Sequence, residues 1–147
     1  EPMPEALREA IALEVSRYMV GETDAEGLVR AARHLVAQGL ESPALLSLSL
    51  ADPEAARVAA PISRLLEELG LSGWDHGQAG QLLGLHAAAS ILGEVSRPID
   101  GARRIVAATG HGRLRELVAR WEASSDERPA LDVLITREAR DLFEGRA

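Results

Sequence analysis

From Gly77 to Val95 the chain reads GQAGQLLGLHAAASILGEV, and nearly every position is apolar or small. Wound at roughly 100° per residue, Leu82, Leu85, Ala88, Ala89, Ile91, Leu92 and Val95 cover more than half the circumference, which predicts a buried central helix. His86, Ser90 and Glu94 form its polar strip. Gly80, Gly84 and Ala88, spaced by four, make a ridge of small residues on which another helix can approach closely. Each Gly costs about 1 kcal/mol against Ala in a helix, so packing must offset it.

The same periodicity recurs on both sides of this stretch. Leu7, Ile11, Val15, Tyr18 and Met19 predict a helix from Pro4 to Val20, stopped by Gly21. Thr23 to Glu26 fits a capping box before a helix with Leu28, Ala32, Leu35 and Val36 inward, ending at Gly39. Ser42-Pro43 is an N-cap followed by proline and opens a short helix through Leu50; the period-two alternation over Leu46 to Leu50 also fits an isolated strand, but such a strand lacks a partner elsewhere in the chain, so a helix or irregular turn is expected. Asp52-Pro53 repeats that start, and Val58, Ile62, Leu65, Leu66 and Leu69 keep one phase to Gly70. That is either one helix kinked at Pro61 or two helices. Asp75, with Gln78 three residues on, caps the central helix. After Pro98, Ile99, Ala102, Ile105 and Val106 face inward and Arg103 and Arg104 outward. Leu114, Leu117, Val118 and Trp121 give the next stripe, and Leu131, Leu134, Ile135, Ala139 and Leu142 the last. The expectation is an all-α fold: one domain over residues 1–147, a compact bundle of about seven or eight helices around the apolar helix 77–95.

Composition narrows the class. Aromatic residues are 3% and hydrophobic residues 46%, so the core must come from Leu, Ala, Val and Ile. Cysteine is absent, which removes disulfides, thiol nucleophiles and cysteine metal sites. No stretch has the form of a secretory leader or a membrane span, so a cytoplasmic protein is expected. Lys and Asn are missing and all 16 basic residues are Arg, the usage of a GC-rich bacterial genome. Residues 1–96 carry 14 acids and 6 Arg (14 − 6, net −8), whereas 97–147 carry 9 acids and 10 Arg (net +1). Such an acidic field disfavours nucleic acid and anionic membranes and favours a protein partner, either another protein or a second copy. The sequence leaves small-molecule binding open.

Four segments together, Leu40-Glu41-Ser42-Pro43-Ala44-Leu45, Leu66 to Leu71, Ile99 to Ile105, and Arg120-Trp121-Glu122 with the final helix, resemble small uncharacterised all-helical proteins of high-GC, actinobacteria-like bacteria. The resemblance implies a helical architecture and carries over no functional residue.

Candidate chemistry is sparse. No H-E-x-x-H or E-x-x-H pattern occurs, and His76 and His86, ten residues apart, stand about 15 Å apart on a helix, too far to share an ion. No metal and no cofactor is expected. His86, Ser90 and Glu94 line one strip, but Ser between His and acid is the wrong order for a relay, leaving a solvated edge. Glu138 lies inside the apolar stripe of the last helix, as a carboxylate paired with an Arg or as a binding group. Gly110-His111-Gly112-Arg113 is a helix connection or an anion cradle. Trp74 is a staple before the central helix or an exposed partner anchor. Arg103, Arg104, Arg113, Arg115 and Arg120 form a basic patch only if the fold gathers them. A helix-turn-helix would make Ala44 to Ala51 its reading helix, and that segment holds only Ala, Leu and Ser, with nothing for phosphates or base edges.

The reading this leaves is a non-catalytic interaction module (adaptor, regulator or immunity-like partner). A small enzyme or ligand-binding protein with an acid-dependent site around Glu138 is the alternative, and a DNA-binding regulator comes third.

Overall fold

Apolar positions repeat at helical spacing along the whole chain, and the computed structural model, which describes residues 5–39, 42–52 and 54–146, is all-helical. Among these residues there are eight α-helices and one 3-10 turn and no strand. In order they are α1 (Glu5–Met19), α2 (Ala25–Ala37), α3 (Pro43–Ser49), α4 (Ala55–Glu68), α5 (His76–Leu92), α6 (Pro98–Thr109), α7 (Gly112–Ala123) and α8 (Arg128–Phe143), the 3-10 turn being Ser125–Glu127. Pro4, Leu40, Glu41 and Pro53, and the side chains of Leu7 and Ala55, lie outside the description. The helices fall into two compact units, residues 1–79 and 80–147.

The first unit is built by α1 to α4. Ile11 and Val15 of α1, Leu28, Val29 and Ala32 of α2, Leu45 and Leu48 of α3, and Val58, Leu65 and Leu69 around α4 form its core. Residues 43–49 are helical, and α4 runs unbroken through Pro61, so the single phase of its apolar residues is the phase of one helix. The cap of α2 is Asp24 rather than Thr23: its carboxylate accepts the Gly27 N–H at 2.8 Å. Asp at this position brings negative charge to the positive end of the helix, which Thr does not.

Side chains from distant helices reach the start of α3 and the ends of α3 and α4. Ser42 caps α3 by accepting the Leu45 N–H, and Glu68 at the end of α4 accepts both the Ser42 hydroxyl and the Ala44 N–H. Arg33 donates to the Ser49 carbonyl at 2.9 Å, and Arg8 donates to the Leu69 carbonyl. Charge-assisted bonds of this kind contribute about 1.5–3 kcal/mol each when well formed.

In the second unit, Ala87, Ala88 and Ile91 of α5 join Ile99, Ala102 and Ile105 of α6, Leu114 and Leu117 of α7, and Leu131, Ile135 and Ala139 of α8. The core is therefore divided in two, whereas the pattern predicts one core around residues 77–95. Helix α5 gives Ala87, Ala88 and Ile91 to the second cluster and has a wet face, with Gln81, Leu85 and His86 exposed. Beside four Ala and three Gly it carries four Leu and one Ile, and of these large side chains only Leu83 and Ile91 are buried.

The ends of α5 are set by local chemistry. Asp75 and Gln78 cap reciprocally, each side chain accepting the other's backbone N–H at 2.8 and 3.0 Å, as the sequence predicts. The helix stops at Leu92, three residues short of Val95, because Glu94 turns left-handed (φ 58°) and the Val95 and Ser96 N–H groups both return to the Ser90 carbonyl. The small-residue ridge is a real close contact. A Cβ at Gly80 would penetrate the Ala108 carbonyl oxygen, one at Gly84 would sit 2.8 Å from Thr109 Cγ2, and Ala88 is wholly buried.

Candidate functional site

Glu138 is half-buried on α8, and its partner is His111 rather than the Arg that the sequence reading favours. His111 Nε2 lies 3.6 Å from Glu138 Oε1. The imidazole has a second engagement, because His111 is the N-cap of α7 and its Nδ1 accepts the Leu114 N–H at 3.2 Å. An accepting Nδ1 places the proton of the neutral ring on Nε2, facing the carboxylate. Gly110, left-handed at φ 71°, ends α6, and the following His111 N–H is held by Thr109 Oγ1 at 3.2 Å. The Gly110 and His111 N–H groups are thus taken by the Val106 carbonyl and the Thr109 hydroxyl, and Arg113 pairs with Glu116 at 3.7 Å.

The Nδ1 of His111 is engaged by the cap and its Nε2 faces the Glu138 carboxylate, so the pair brings α7 and α8 together. His111→Ala should cost about 1 kcal/mol through loss of the cap, and Glu138→Ala about 1 kcal/mol or less, because the carboxylate is partly wet. Urea unfolding of both variants checks this. A loss above about 3 kcal/mol for Glu138→Ala would mark a sealed ion pair.

The densest polar grouping in the second unit surrounds Trp121 on α7. Its indole Nε1 donates to Asp132 Oδ1 of α8 at 3.0 Å. The Arg128 guanidinium stacks 3.9 Å from the ring centroid and donates through Nε to the Trp121 carbonyl at 3.0 Å, while Arg103 of α6 lies 5.6 Å from the ring. Arg103 also reaches Glu122 at 3.2 Å and Asp100 at 3.9 Å. Arg97 forms a two-pronged bond with Asp100 at 2.9 and 3.3 Å, and that hydrogen bond holds the exposed Asp100 carboxyl below its ordinary pKa and raises that of Arg97. One network therefore joins three helices around one aromatic ring. Trp121 is legible in the sequence only as a core position; its polar end is not, because Asp132 lies eleven residues away.

The other predicted residues do not converge. Arg104 is exposed on α6 with no carboxylate within 4 Å among the described residues, and Arg120 pairs with Glu127 at 3.3 Å. The five arginines of the predicted patch are therefore mostly balanced by local acids. His86 is exposed, and the Ser90 hydroxyl bonds the His86 backbone carbonyl at 3.0 Å, not its ring. Glu94 lies beyond the end of α5, so the predicted strip is not continuous. Trp74, in the first unit, is half-buried, and its indole N–H donates to the fully buried Ser16 hydroxyl at 3.0 Å. Among the described residues no group of three or more His, Cys, Asp or Glu is placed to hold a metal.

The class defined by these elements is an all-α protein, with polar side chains that cap helix ends and, around Trp121, join three helices. No protein-family model, curated protein or solved structure matches the chain. Among the described residues no helix is long and apolar enough to cross a membrane.

Proposed function

We propose that this chain is a non-catalytic protein-interaction module of the bacterial cytoplasm whose acidic first unit meets a basic protein surface. The observation carrying this reading is the distribution of charge. Residues 1–79 hold 13 acids and 6 Arg (13 − 6, net −7), and residues 80–147 hold 10 acids and 10 Arg (net 0). The whole net charge of −7 thus belongs to one unit, whose field steers a cationic partner and repels polyanions. An acid-dependent enzyme around Glu138 needs a cleft that opens on the carboxylate, and neither the depression beside Val133 nor the one between the 94–98 turn and α8 is lined by Glu138 or His111. A helix-turn-helix regulator needs cations on α3, which holds only Pro, Ala, Leu and Ser.

Affinity capture from native lysate at low and high salt, read by mass spectrometry, tests this proposal. Captured proteins should be basic and should be released as salt shortens the screening length to about 8 Å at 0.15 M and below. Capture that ignores salt would overturn the steering argument. So would tight binding of duplex DNA, RNA or anionic vesicles at physiological salt that disappears in an Arg103→Ala/Arg104→Ala variant.

A further inference from the structure

Ten arginines lie between residues 80 and 147, and most have a local counterpart. Arg97, Arg103, Arg113, Arg120 and Arg146 each lie within 4 Å of a carboxylate, and Arg128 is stacked on Trp121. Of the remaining four, Arg137 and Arg140 stand three apart on α8, exposed, with no carboxylate within 4 Å among the described residues. Both face the same depression, of about 360 Å³, together with Val133. A second depression, of about 450 Å³, lies between the 94–98 turn and α8, and the two share Thr136 and Arg140.

The walls of this double groove are unusual in two further respects. Val95 is 82% exposed and Val133 is 59% exposed, so two of the most exposed large apolar side chains in the unit flank its arginines. The Ser96 hydroxyl, from a residue lining the second depression, is buried and has no hydrogen-bond partner among the described residues. Three arginines and two acids line the groove, and the acids are not equal: the Asp132 carboxylate is taken by Trp121, and Arg97 by Asp100. A bond from the neutral indole leaves Asp132 charged, so the lining carries one net positive charge, and Arg137 and Arg140 are the cations in it with no carboxylate within 4 Å among the described residues.

We propose that this groove binds an acidic segment of another protein, with carboxylates on Arg137 and Arg140 and apolar side chains against Val95 and Val133. Cations set between apolar walls fit a peptide that alternates acidic and apolar residues, since guanidinium takes carboxylate and each valine loses water on contact. A nucleic acid fits poorly, because the lining offers a single net charge and no aromatic face for a base. The site has the opposite sign to the acidic first unit, so it stands or falls independently of the function proposed above.

The test is fluorescence anisotropy at low salt with a short labelled peptide alternating Glu and Leu. The intact chain should bind it saturably, and Arg137→Glu/Arg140→Glu should weaken binding by about tenfold or more, one such loss corresponding to about one charge-assisted bond. Arg115→Glu changes charge outside the groove and should leave affinity nearly unchanged; equal weakening there would mean unspecific attraction and overturn the site. Val133→Ser should weaken binding several-fold, and unchanged affinity would overturn the peptide in favour of a bare anion. Absence of saturable binding would overturn the proposal outright. Sedimentation of the intact chain and the double variant completes the test: self-association lost in the variant would make the occupant a second copy and overturn a separate partner.

Discussion

Gly80→Leu is expected to lower stability by about 3 kcal/mol, the upper end for overpacking, and the melting temperature by roughly 10 °C. At Gly80 a Cβ meets the backbone carbonyl of Ala108, which cannot rotate away as a side chain can. Accommodation requires α5 and α6 to separate, and that opens the contacts of Ala87, Ala88 and Ile91 with α6. Gly84→Leu meets the Thr109 methyl at 2.8 Å and should cost less, about 1–2 kcal/mol, since one side chain can yield. Gly77→Ala is the control. It meets only Asp75 Oδ1 at 3.4 Å, so helix propensity should leave the protein unchanged or more stable by up to about 1 kcal/mol. Thermal melts of the three variants rank the contacts, and an unaltered melt for Gly80→Leu would show that the ridge does not face α6.

Trp121→Ala should cost about 3 kcal/mol, because it removes a large ring packed on the second core and dismantles the polar network on top of it. Trp121→Phe separates the two contributions. Phe keeps most of the apolar area and the stack with Arg128 but loses the N–H to Asp132, so about 1.5 kcal/mol should go, the worth of one bond to a charged group. Chemical denaturation reads both. Equal losses for Phe and Ala would mean that the hydrogen bond alone carries the effect, and no loss for Phe would mean that Asp132 is satisfied by water.

What the sequence by itself determined here is local. Helical periodicity, the Asp75/Gln78 capping box, the Ser42-Pro43 start and Gly110 as a stop depend on residues within four positions of one another, and there the chemistry of a few side chains decides the backbone. The small-residue ridge was legible for the same reason: glycines four apart in a helix lose stability unless something approaches them, and α6 does. Asp24 displaced Thr23 as a cap within that same short range, since two adjacent capping residues compete and a carboxylate answers the helix dipole better.

The pairings were decided only by the tertiary structure. Glu138 reads as buried from its own helix, but His111, Asp132 beside Trp121, and Glu68 beside Ser42 are separated from their partners by 11 to 27 positions, and nothing in the periodicity of one helix specifies which polar group of another lies opposite. The division of the core has a similar origin. The α5 run looks buried on all sides because nearly every residue is apolar or small, yet of its large side chains only Leu83 and Ile91 are buried. Large side chains on α1 to α4 and on α6 to α8 gather separate cores, and α5, for all its apolar residues, lends its buried face to the second of them.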